Sequence, residues 1–376
     1  MANFTKISYE KDELNTELSK IFSKLIETGV VNGILSPTLN STGVIKQTLI
    51  VDPAKTGNVD PFSPVIPVNS AKIASSLTAK PSDKKIGILL RSCESRALVE
   101  LVKLNQANLD NVLLFGLDCF GRYENNDFYQ LREKELTAES FIKSAQSENT
   151  ENNGFDITDA CKMCEHPSAD NVDIRLCVIG LESGSFGLES VSEKGQKALE
   201  DIGLSGSDQS GKREDSVHAV TKKRNDEFQA KLEEYKENIN SINAFEDNVA
   251  KCINCYNCRV ACPVCYCKEC VFVTDTFRHD GEQFVGWAQK DGILKMPTDT
   301  AFYHLTRMTH NGHFCVGCGQ CESACPNDIK LTMAFKASAK ASQDRFEYEA
   351  GRSLEEEQPL TVFHDDELVE VTGQVK

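Results

Sequence analysis

The stretch KIGILLRSCESRALVELVKLNQANLDNVLLFGLD, residues 85–118, contains the clearest regular pattern of the sequence. Its first six and last eight residues are short apolar runs, typical of buried strands. Between them, residues 94–106 repeat apolar side chains at helical spacing, so one face of that helix is expected to pack inward. A strand, a helix and a second strand at this spacing predict a right-handed parallel crossover.

Segments on both sides of this unit extend the prediction to an α/β domain with a parallel or mixed sheet. The segments are residues 10–28 and 71–77 as helices, and residues 44–51 and 172–179 as strands. Residues 189–215 are polar and rich in Ser and Gly, so we predict a loop there. A highly charged, exposed helix is predicted over residues 216–241. The α/β domain is expected to span residues 1–245, with 189–245 as a charged loop and helix excursion.

The overall charge narrows the classes of partner. The chain has 376 residues, a formal net charge of -16 and a pI near 5.0. Nucleic acids and anionic membranes repel such a protein, so neither is an expected partner. No apolar run is long enough to span a bilayer, and the first residues lack the apolar core of a secretory signal. We therefore expect a cytoplasmic protein without membrane insertion.

Sixteen cysteines are the feature of the composition that indicates chemistry. Disulfide scaffolds are typical of short secreted chains, whereas this chain is long and shows no secretory signal. In a reducing compartment, clustered cysteines indicate metal ligands or redox groups instead.

Two cysteine runs in the C-terminal part share the spacing C-x2-C-x2-C-x3-C-P. The first is CINCYNCRVACP, residues 252–263, and the second is CVGCGQCESACP, residues 315–326. In such runs three closely spaced thiolates bind one [4Fe–4S] cubane, and the fourth cysteine ligates the cluster of the other run. The expected ligand sets are Cys252, Cys255, Cys258 and Cys325 for one cluster, and Cys315, Cys318, Cys321 and Cys262 for the other.

A pair of zinc knuckles is the alternative interpretation of these runs. Zinc sites usually use two ligand pairs with a longer spacer between them, whereas both runs here have a triplet followed by Cys-Pro. The gap between the runs contains a helix pattern at residues 298–310, which resembles the helical dicluster domains of respiratory electron-transfer subunits. We expect a mostly α-helical dicluster ferredoxin domain over residues 246–338 and an acidic tail over residues 339–376.

Four cysteines of the first half of the chain form a further candidate site. Cys93 and Cys119 follow predicted strands, and open α/β sheets place their sites at strand carboxyl ends. Cys161 and Cys164 add a C-x2-C pair. These four thiolates are enough for a third [4Fe–4S] cluster, but buried free cysteines without a ligand role explain the same spacing.

Three stretches of the chain resemble the β subunits of coenzyme F420-dependent hydrogenases and formate dehydrogenases. They are residues 85–124, the segment ACKMCEHPSADNVDI at 160–174, and FYHLTRMTHNGHFCVGCGQCESACPNDIKL at 302–331. The last is similar to the formate dehydrogenase β subunit in particular. The chain departs from the family at Ser92, where the family often has Pro.

This resemblance implies cofactors and a partner. It implies a third [4Fe–4S] cluster bound by Cys93, Cys119, Cys161 and Cys164. It also implies FAD in the α/β domain, exchanging a hydride with the deazaflavin coenzyme. The implied partner is the catalytic subunit of a formate dehydrogenase or hydrogenase, or a heterodisulfide reductase-like module.

The residues that would bind a flavin are less distinct. The G-x-G-x-x-G dinucleotide fingerprint does not occur in the sequence. Arg91 and Arg96 flank Cys93 and are candidates to neutralise a pyrophosphate or a reduced flavin. The alternative is that both arginines are solvated or lie beside a cluster.

Four further cysteines lie outside the two ferredoxin motifs and the candidate set of the α/β domain. Cys265, Cys267 and Cys270 follow the first run closely, and together with Cys177 they would make four ligands of a further metal site. The alternative is that the three thiols pack beside a cluster.

The expected function is that of an electron-transfer iron–sulfur flavoprotein subunit in a multi-subunit oxidoreductase of the formate dehydrogenase or hydrogenase type. Such a subunit passes electrons between [4Fe–4S] clusters and FAD, and on to a hydride acceptor or a partner module. It needs no formate- or hydrogen-activating site of its own. The alternatives are a flavin-free iron–sulfur carrier that links two enzymes, and a structural zinc protein.

Overall fold

One mixed sheet organises the first half of the molecule. The computed structural model describes residues 4–206, 208 and 211–361. The sheet has seven strands in the order β1-β7-β6-β5-β4-β2-β3. The strands are β1 (Phe4–Ser8), β2 (Gly33–Leu39), β3 (Ile45–Ile50), β4 (Ile86–Arg91), β5 (Val112–Leu117), β6 (Ile174–Cys177) and β7 (Ser185–Ser190).

The strands in the middle of this sheet run parallel. Strands β2, β4, β5 and β6 are parallel neighbours, while β3 on one side and β7 and β1 on the other pair antiparallel. The predicted α/β region with a mixed sheet is therefore confirmed. Arg91 pairs with Leu117, so the carboxyl ends of β4 and β5 lie side by side.

Fourteen α-helices lie in the described residues outside the sheet. They are α1 (Leu14–Glu27), α2 (Ser70–Thr78), α3 (Ser92–Lys103), α4 (Asn125–Glu133), α5 (Ala138–Gln146), α6 (Asp159–Lys162), α7 (Glu193–Asp201), α8 (Arg213–Asn238), α9 (Ile242–Asn248), α10 (Asn257–Ala261), α11 (Gly281–Asp291), α12 (Thr300–Asn311), α13 (Gln320–Ser323) and α14 (Leu331–Arg345). Short 3-10 helices occupy Pro53–Asn58, Val271–Val273 and Asp275–Phe277. Across the described ranges, none of the helices combines the length and apolarity needed to cross a bilayer.

Helix α3 forms the crossover between β4 and β5, as the apolar pattern predicts. Its residues Ala97, Leu98 and Leu101 are buried and belong to one apolar cluster with Leu90 of β4 and Leu114 of β5. Burial of these side chains is the main contribution that fixes the helix on the sheet, since isolated helices of this length are marginal in water.

The segment predicted as a loop at 189–215 contains regular structure, so that prediction was wrong in part. Strand β7 ends at Ser190, and α7 follows from Glu193 to Asp201. The Ser192 side chain caps α7 by accepting from the backbone N–H of Gly195. Ala198 and Leu199 are buried against the main core. The polar composition concealed this helix because only one narrow face of it is apolar.

The C-terminal part is helical, as expected, and it packs on the α/β part. Helix α14 continues to Arg345, beyond the predicted boundary at 338. After it, the chain returns to α3, where the Tyr348 hydroxyl and the Gln358 amide donate to the buried Glu100 carboxylate at 2.6 and 2.8 Å. The predicted acidic tail is described only as far as residue 361, and the rest of it lies outside the described residues.

Candidate iron–sulfur sites

The four cysteines of the α/β part meet at the carboxyl ends of β4 and β5. Cys93 is the second residue of α3, and Cys119 lies two residues beyond β5. Cys161 is in α6, and Cys164 follows that helix. All four line one cavity, and Cys318 of the second ferredoxin run lines the same cavity. Sequence positions far apart are therefore brought together at one site.

Backbone hydrogen bonds hold the loops of this site in place. The N–H of Cys119 donates to the carbonyl of Pro167 at 2.7 Å, which joins the end of β5 to the segment after Cys164. The N–H of Thr158 donates to the carbonyl of Arg122 at 2.8 Å, which fixes the start of α6 against the same turn. The spacing of the cysteines thus depends on main-chain contacts that residue types alone do not reveal.

Burial and two nearby arginines determine the electrostatics of this cavity. Burial raises the pKa of the Cys93 thiol well above its ordinary value. Burial also raises the pKa of Cys119 to about 11, although the Arg91 and Arg224 guanidinium groups oppose the shift. Buried thiols of this kind lose their protons when iron binds, because metal coordination needs the thiolate. The donor set therefore fits an iron–sulfur cluster.

The first ferredoxin run meets the fourth cysteine of the second run. Cys252, Cys255, Cys258 and Cys325 line a single cavity, together with Tyr303 and His304 of α12. The Cys252 sulfur lies 3.4 Å from the His304 Nε2 atom, and the Cys258 sulfur lies 3.4 Å from the Tyr303 hydroxyl. The apolar surroundings lower the pKa of His304 to about 4, mainly through burial, so its ring is neutral at physiological pH.

The second ferredoxin run lies against the fourth cysteine of the first. Burial raises the pKa values of Cys315, Cys318 and Cys321, and a contribution from Cys262 raises each of them further. For Cys318 the resulting pKa is about 12. Such mutual effects require the Cys262 thiol to lie near all three, which is the arrangement that crossed ligation needs.

Arg307 of α12 is a cation that sequence reasoning missed. Its guanidinium donates to the Cys258 carbonyl at 3.2 Å and stands over the Phe335 ring, 4.6 Å from the ring centroid. It is only 4% exposed, and it opposes the burial effect on the pKa of Cys321. One arginine thus serves both ferredoxin runs.

Two glycines shape the loop of the second run. Gly317 and Gly319 have φ angles of +68° and +72°, a region that glycine adopts without strain. A Cβ atom added to Gly319 would collide with the Cβ of Ala160, the residue before Cys161. The cysteine loop of the ferredoxin part therefore touches the cysteine helix of the α/β part directly.

Arg91 and Arg96 are both engaged with backbone carbonyls. Arg91 donates to the carbonyl of Val65 at 3.1 Å and also to those of Pro61 and Ser63. It lines the cavity of the four N-terminal cysteines.

Arg96 donates to the carbonyl of Ala350 at 3.0 Å and to that of Val316 at 3.5 Å. Both arginines are thus buried beside candidate clusters, which is the alternative that the sequence left open. Their role in binding a flavin stays a prediction.

The four leftover cysteines do not form a group with one another. Cys177 is buried in β6, where its thiol contacts the Arg175 carbonyl at 3.6 Å and the Glu189 carboxylate at 3.6 Å. Cys267 is exposed. Among the residues that the structure describes, no three Cys, His, Asp or Glu side chains stand close enough to hold a single metal ion.

Arg224 of α8 was missed because that helix was predicted to be exposed. Arg224 donates to the carbonyls of Cys119 and Phe120, the latter at 2.8 Å, and lines the cavity of the four N-terminal cysteines. Phe228 and Leu232 are buried on the same helix face. The spacing of four between these residues is the signal that distinguishes this face from the charged surface.

Comparisons with known proteins agree with these sites. A family model described as a 4Fe-4S binding domain matches residues 310–330, which contain the second run. That match and the clustered thiols identify the chain as an iron–sulfur electron-transfer protein that binds [4Fe–4S] clusters.

A weak likeness to a solved structure was also found. The chain is similar to a chain of the F420-reducing [NiFe] hydrogenase complex from Methanosarcina barkeri, with 14% identity and a TM-score of 0.45. The match covers 62% of this chain and 92% of that chain.

Curated relatives match along most of the chain. The F420-dependent formate dehydrogenase subunit beta of Methanocaldococcus jannaschii is 30% identical over 76% of this chain and 78% of its own length. The F420-dependent formate dehydrogenase 1 subunit beta of Methanococcus maripaludis is 28% identical over 71% of this chain and 76% of its own length. The chain therefore belongs to the same family as these formate dehydrogenase beta subunits.

Proposed function

We propose that this chain is the iron–sulfur flavoprotein subunit of a formate dehydrogenase or hydrogenase type oxidoreductase. It carries electrons between three [4Fe–4S] clusters and FAD. One observation supports this proposal above the others. The cavity of the four N-terminal cysteines shares Cys318 with the second ferredoxin run, so a cluster there has a direct neighbour for electron transfer.

Each cluster has its own set of four thiolates in this proposal. The α/β cluster is bound by Cys93, Cys119, Cys161 and Cys164. The ferredoxin clusters are bound by Cys252, Cys255, Cys258 and Cys325, and by Cys315, Cys318, Cys321 and Cys262. The shared cavities and the mutual pKa effects of these thiols support the three sets. The domain boundary at 245 is part of the same proposal, and the ferredoxin part is proposed to extend to the end of α14 at Arg345.

The protein's own residues place arginine side chains beside the proposed clusters. Arg91 and Arg224 lie beside the α/β cysteines, and Arg307 lies between the two ferredoxin sets. Cations offset part of the negative charge that four thiolates bring into a buried site. When bound, the clusters carry one electron each, and the FAD exchanges two electrons with an acceptor as a hydride.

Both curated relatives are named F420-dependent, and we propose FAD as the group that would exchange a hydride with such a coenzyme. Arg91 and Arg96 remain the candidate residues for the flavin. We also propose a catalytic subunit of a formate dehydrogenase or hydrogenase as partner, with a heterodisulfide reductase-like module as a further candidate. A cytoplasmic location follows from the need to keep cysteine ligands reduced.

A flavin-free electron carrier is the second candidate, and one observation favours it. The guanidinium groups of Arg91 and Arg96 already donate to backbone carbonyls, so neither is held ready for a pyrophosphate. In this case the chain links two enzymes through its clusters alone.

Flavin content separates the two candidates. The full chain is purified without oxygen. In one portion the flavin is extracted and identified, and another intact portion is titrated stepwise with a reductant while the absorbance of the clusters and of the flavin is followed. We expect about one FAD per chain, reduced in step with the clusters. Protein with complete clusters and no flavin would establish the carrier instead.

A further inference from the structure

Lys336 of α14 connects two cysteine loops that belong to different candidate clusters. Its Nζ atom donates to the carbonyl of Met163 at 2.5 Å. Met163 lies between Cys161 and Cys164. The methylene stem of Lys336 packs on Gly317, since a Cβ added there would stand 3.2 Å from the lysine Cδ atom. Gly317 lies between Cys315 and Cys318, so one side chain touches both loops.

The Lys336 side chain lies in a mostly buried site. Lys336 is 9% exposed, and its Nζ atom stands 3.9 Å from the centroid of the Phe228 ring. The nearest carboxylate is that of Glu165, 3.7 Å away and partly exposed. Both residues line a cavity together with Cys164 and Cys315. The ammonium group is therefore screened little by water on the side that faces the cysteines.

Other charged groups face the same cavity. They are Arg96, Glu165, His166 and Lys340, in addition to Lys336 itself. Burial together with Arg96 and Lys336 lowers the pKa of His166 to about 2, so this ring is neutral. Arg96 donates to carbonyls, whereas Lys340 is on the outer side of α14 and pairs with Asp344 at 2.5 Å. Lys336 is thus a cation that touches both loops, at Met163 and at Gly317.

A cation at this position acts on the reduction of both clusters. Each cluster gains one negative charge when it is reduced, and a fixed positive charge nearby stabilises the reduced form. Since Lys336 touches both loops, its effect falls on the α/β cluster and on the cluster of the second run together. A shift common to both clusters leaves the difference between their potentials unchanged, so it stabilises the reduced state of the pair without hindering electron transfer between them.

We propose that Lys336 is a positioning residue for electron transfer that raises the reduction potentials of these two clusters together. The proposal rests on the proposed function, because it assumes a cluster on the four N-terminal cysteines. It assigns no such role to the cluster of the first run, whose cysteines line a separate cavity that does not include Lys336.

The test is a redox titration of the anoxically purified full chain, followed by electron paramagnetic resonance. In Lys336→Met the charge is lost while most of the packing volume stays. We expect the constant for reducing each of the two clusters to fall about tenfold, which corresponds to about 59 mV for one electron. The cluster of the first run should keep its potential and serves as the internal reference.

Further variants separate charge from packing. Lys340→Met removes a charge from the same helix and the same cavity, but at an exposed ion pair, and should leave all potentials nearly unchanged. Glu165→Gln removes the facing carboxylate and should raise the same two potentials that Lys336→Met lowers. Because the Glu165 side chain is partly exposed, we expect this variant to assemble its clusters. The test therefore remains possible if Lys336→Met fails to assemble clusters.

Two outcomes would overturn the proposal. One is unchanged potentials in both Lys336→Met and Glu165→Gln, which would leave Lys336 a packing residue. The other is an equal shift of all clusters, which would mark a general effect on the fold. Iron content distinguishes these outcomes from failure of the proposed function: protein with only the two ferredoxin clusters refutes the third cluster, while the cluster of the second run still reports on Lys336.

Discussion

The guanidinium of Arg122 donates to the hydroxyl of Ser323 at 2.6 Å. Arg122 follows Cys119 by three residues, and Ser323 follows Cys321 by two. The Ser323 hydroxyl also contacts the Glu124 carboxylate at 2.9 Å, and Arg122 is 1% exposed. This buried contact therefore joins the α/β part to the ferredoxin part close to a candidate cluster on each side.

Replacing Arg122 with Met should weaken this junction. The variant removes a buried charge-assisted hydrogen bond, so we expect the free energy of unfolding to fall by about 2 to 3 kcal/mol. Denaturant unfolding of the anoxic protein measures the change. Arg278→Met is the matched control, because Arg278 forms an exposed pair with Asp275 and its loss should change stability little. Equal effects of the two substitutions would contradict the role given to Arg122.

Cys119→Ala should remove one cluster and leave the other two. Cys119 lines a cavity with three further thiols of the α/β part, so its loss leaves that cluster without a complete ligand set. We expect about four iron atoms fewer per chain, with unchanged paramagnetic signals of the ferredoxin clusters. Iron content equal to that of the unmodified protein would exclude Cys119 from the ligands.

Cys262→Ala tests the crossed ligation of the two runs. Cys262 follows the first triplet in sequence, but its effects on pKa reach Cys315, Cys318 and Cys321. The variant should therefore damage the cluster of the second run and spare that of the first.

Cys325→Ala is the reciprocal variant of this test, because Cys325 lines the cavity of the first run. It should damage the cluster of the first run only. Damage to the first-run cluster in Cys262→Ala together with damage to the second-run cluster in Cys325→Ala would refute crossed ligation.

Cys177→Ala and Cys267→Ala should retain the full iron content. Cys177 is buried in β6, where its thiol contacts the Arg175 carbonyl, and Cys267 is exposed. Neither lines one of the cavities that contain the proposed ligands. Metal analysis of both variants checks this expectation, and the loss of any metal from either would reinstate a further site.

The parts of the fold with strong local patterns were predictable. The β4-α3-β5 unit has apolar runs and helical periodicity that admit one arrangement, and the cysteine spacing in the two runs defines their chemistry. Strand β2 was not predicted, since it contains Pro37, which is unusual inside a sheet. In the structure Pro37 lies beyond Gly33–Leu35, where β2 pairs with β4, so the parallel pairing is not interrupted.

The contacts between the two parts of the molecule could not be predicted. Arg224 and Lys336 are on helices whose sequences are mostly polar, and their burial depends on contacts with segments more than 100 residues away. The docking of Tyr348 on Glu100 is of the same kind. A single sequence shows residue types and local spacing, whereas these contacts follow from the packing of complete elements.

The number of iron atoms and sulfide ions per chain shows whether the four cysteines at the carboxyl ends of β4 and β5 bind a third cluster beside the ferredoxin pair. The full chain, purified without oxygen, should contain about twelve iron atoms and about twelve sulfide ions. About eight of each would contradict the third cluster, and zinc in place of iron would exclude all three iron–sulfur clusters.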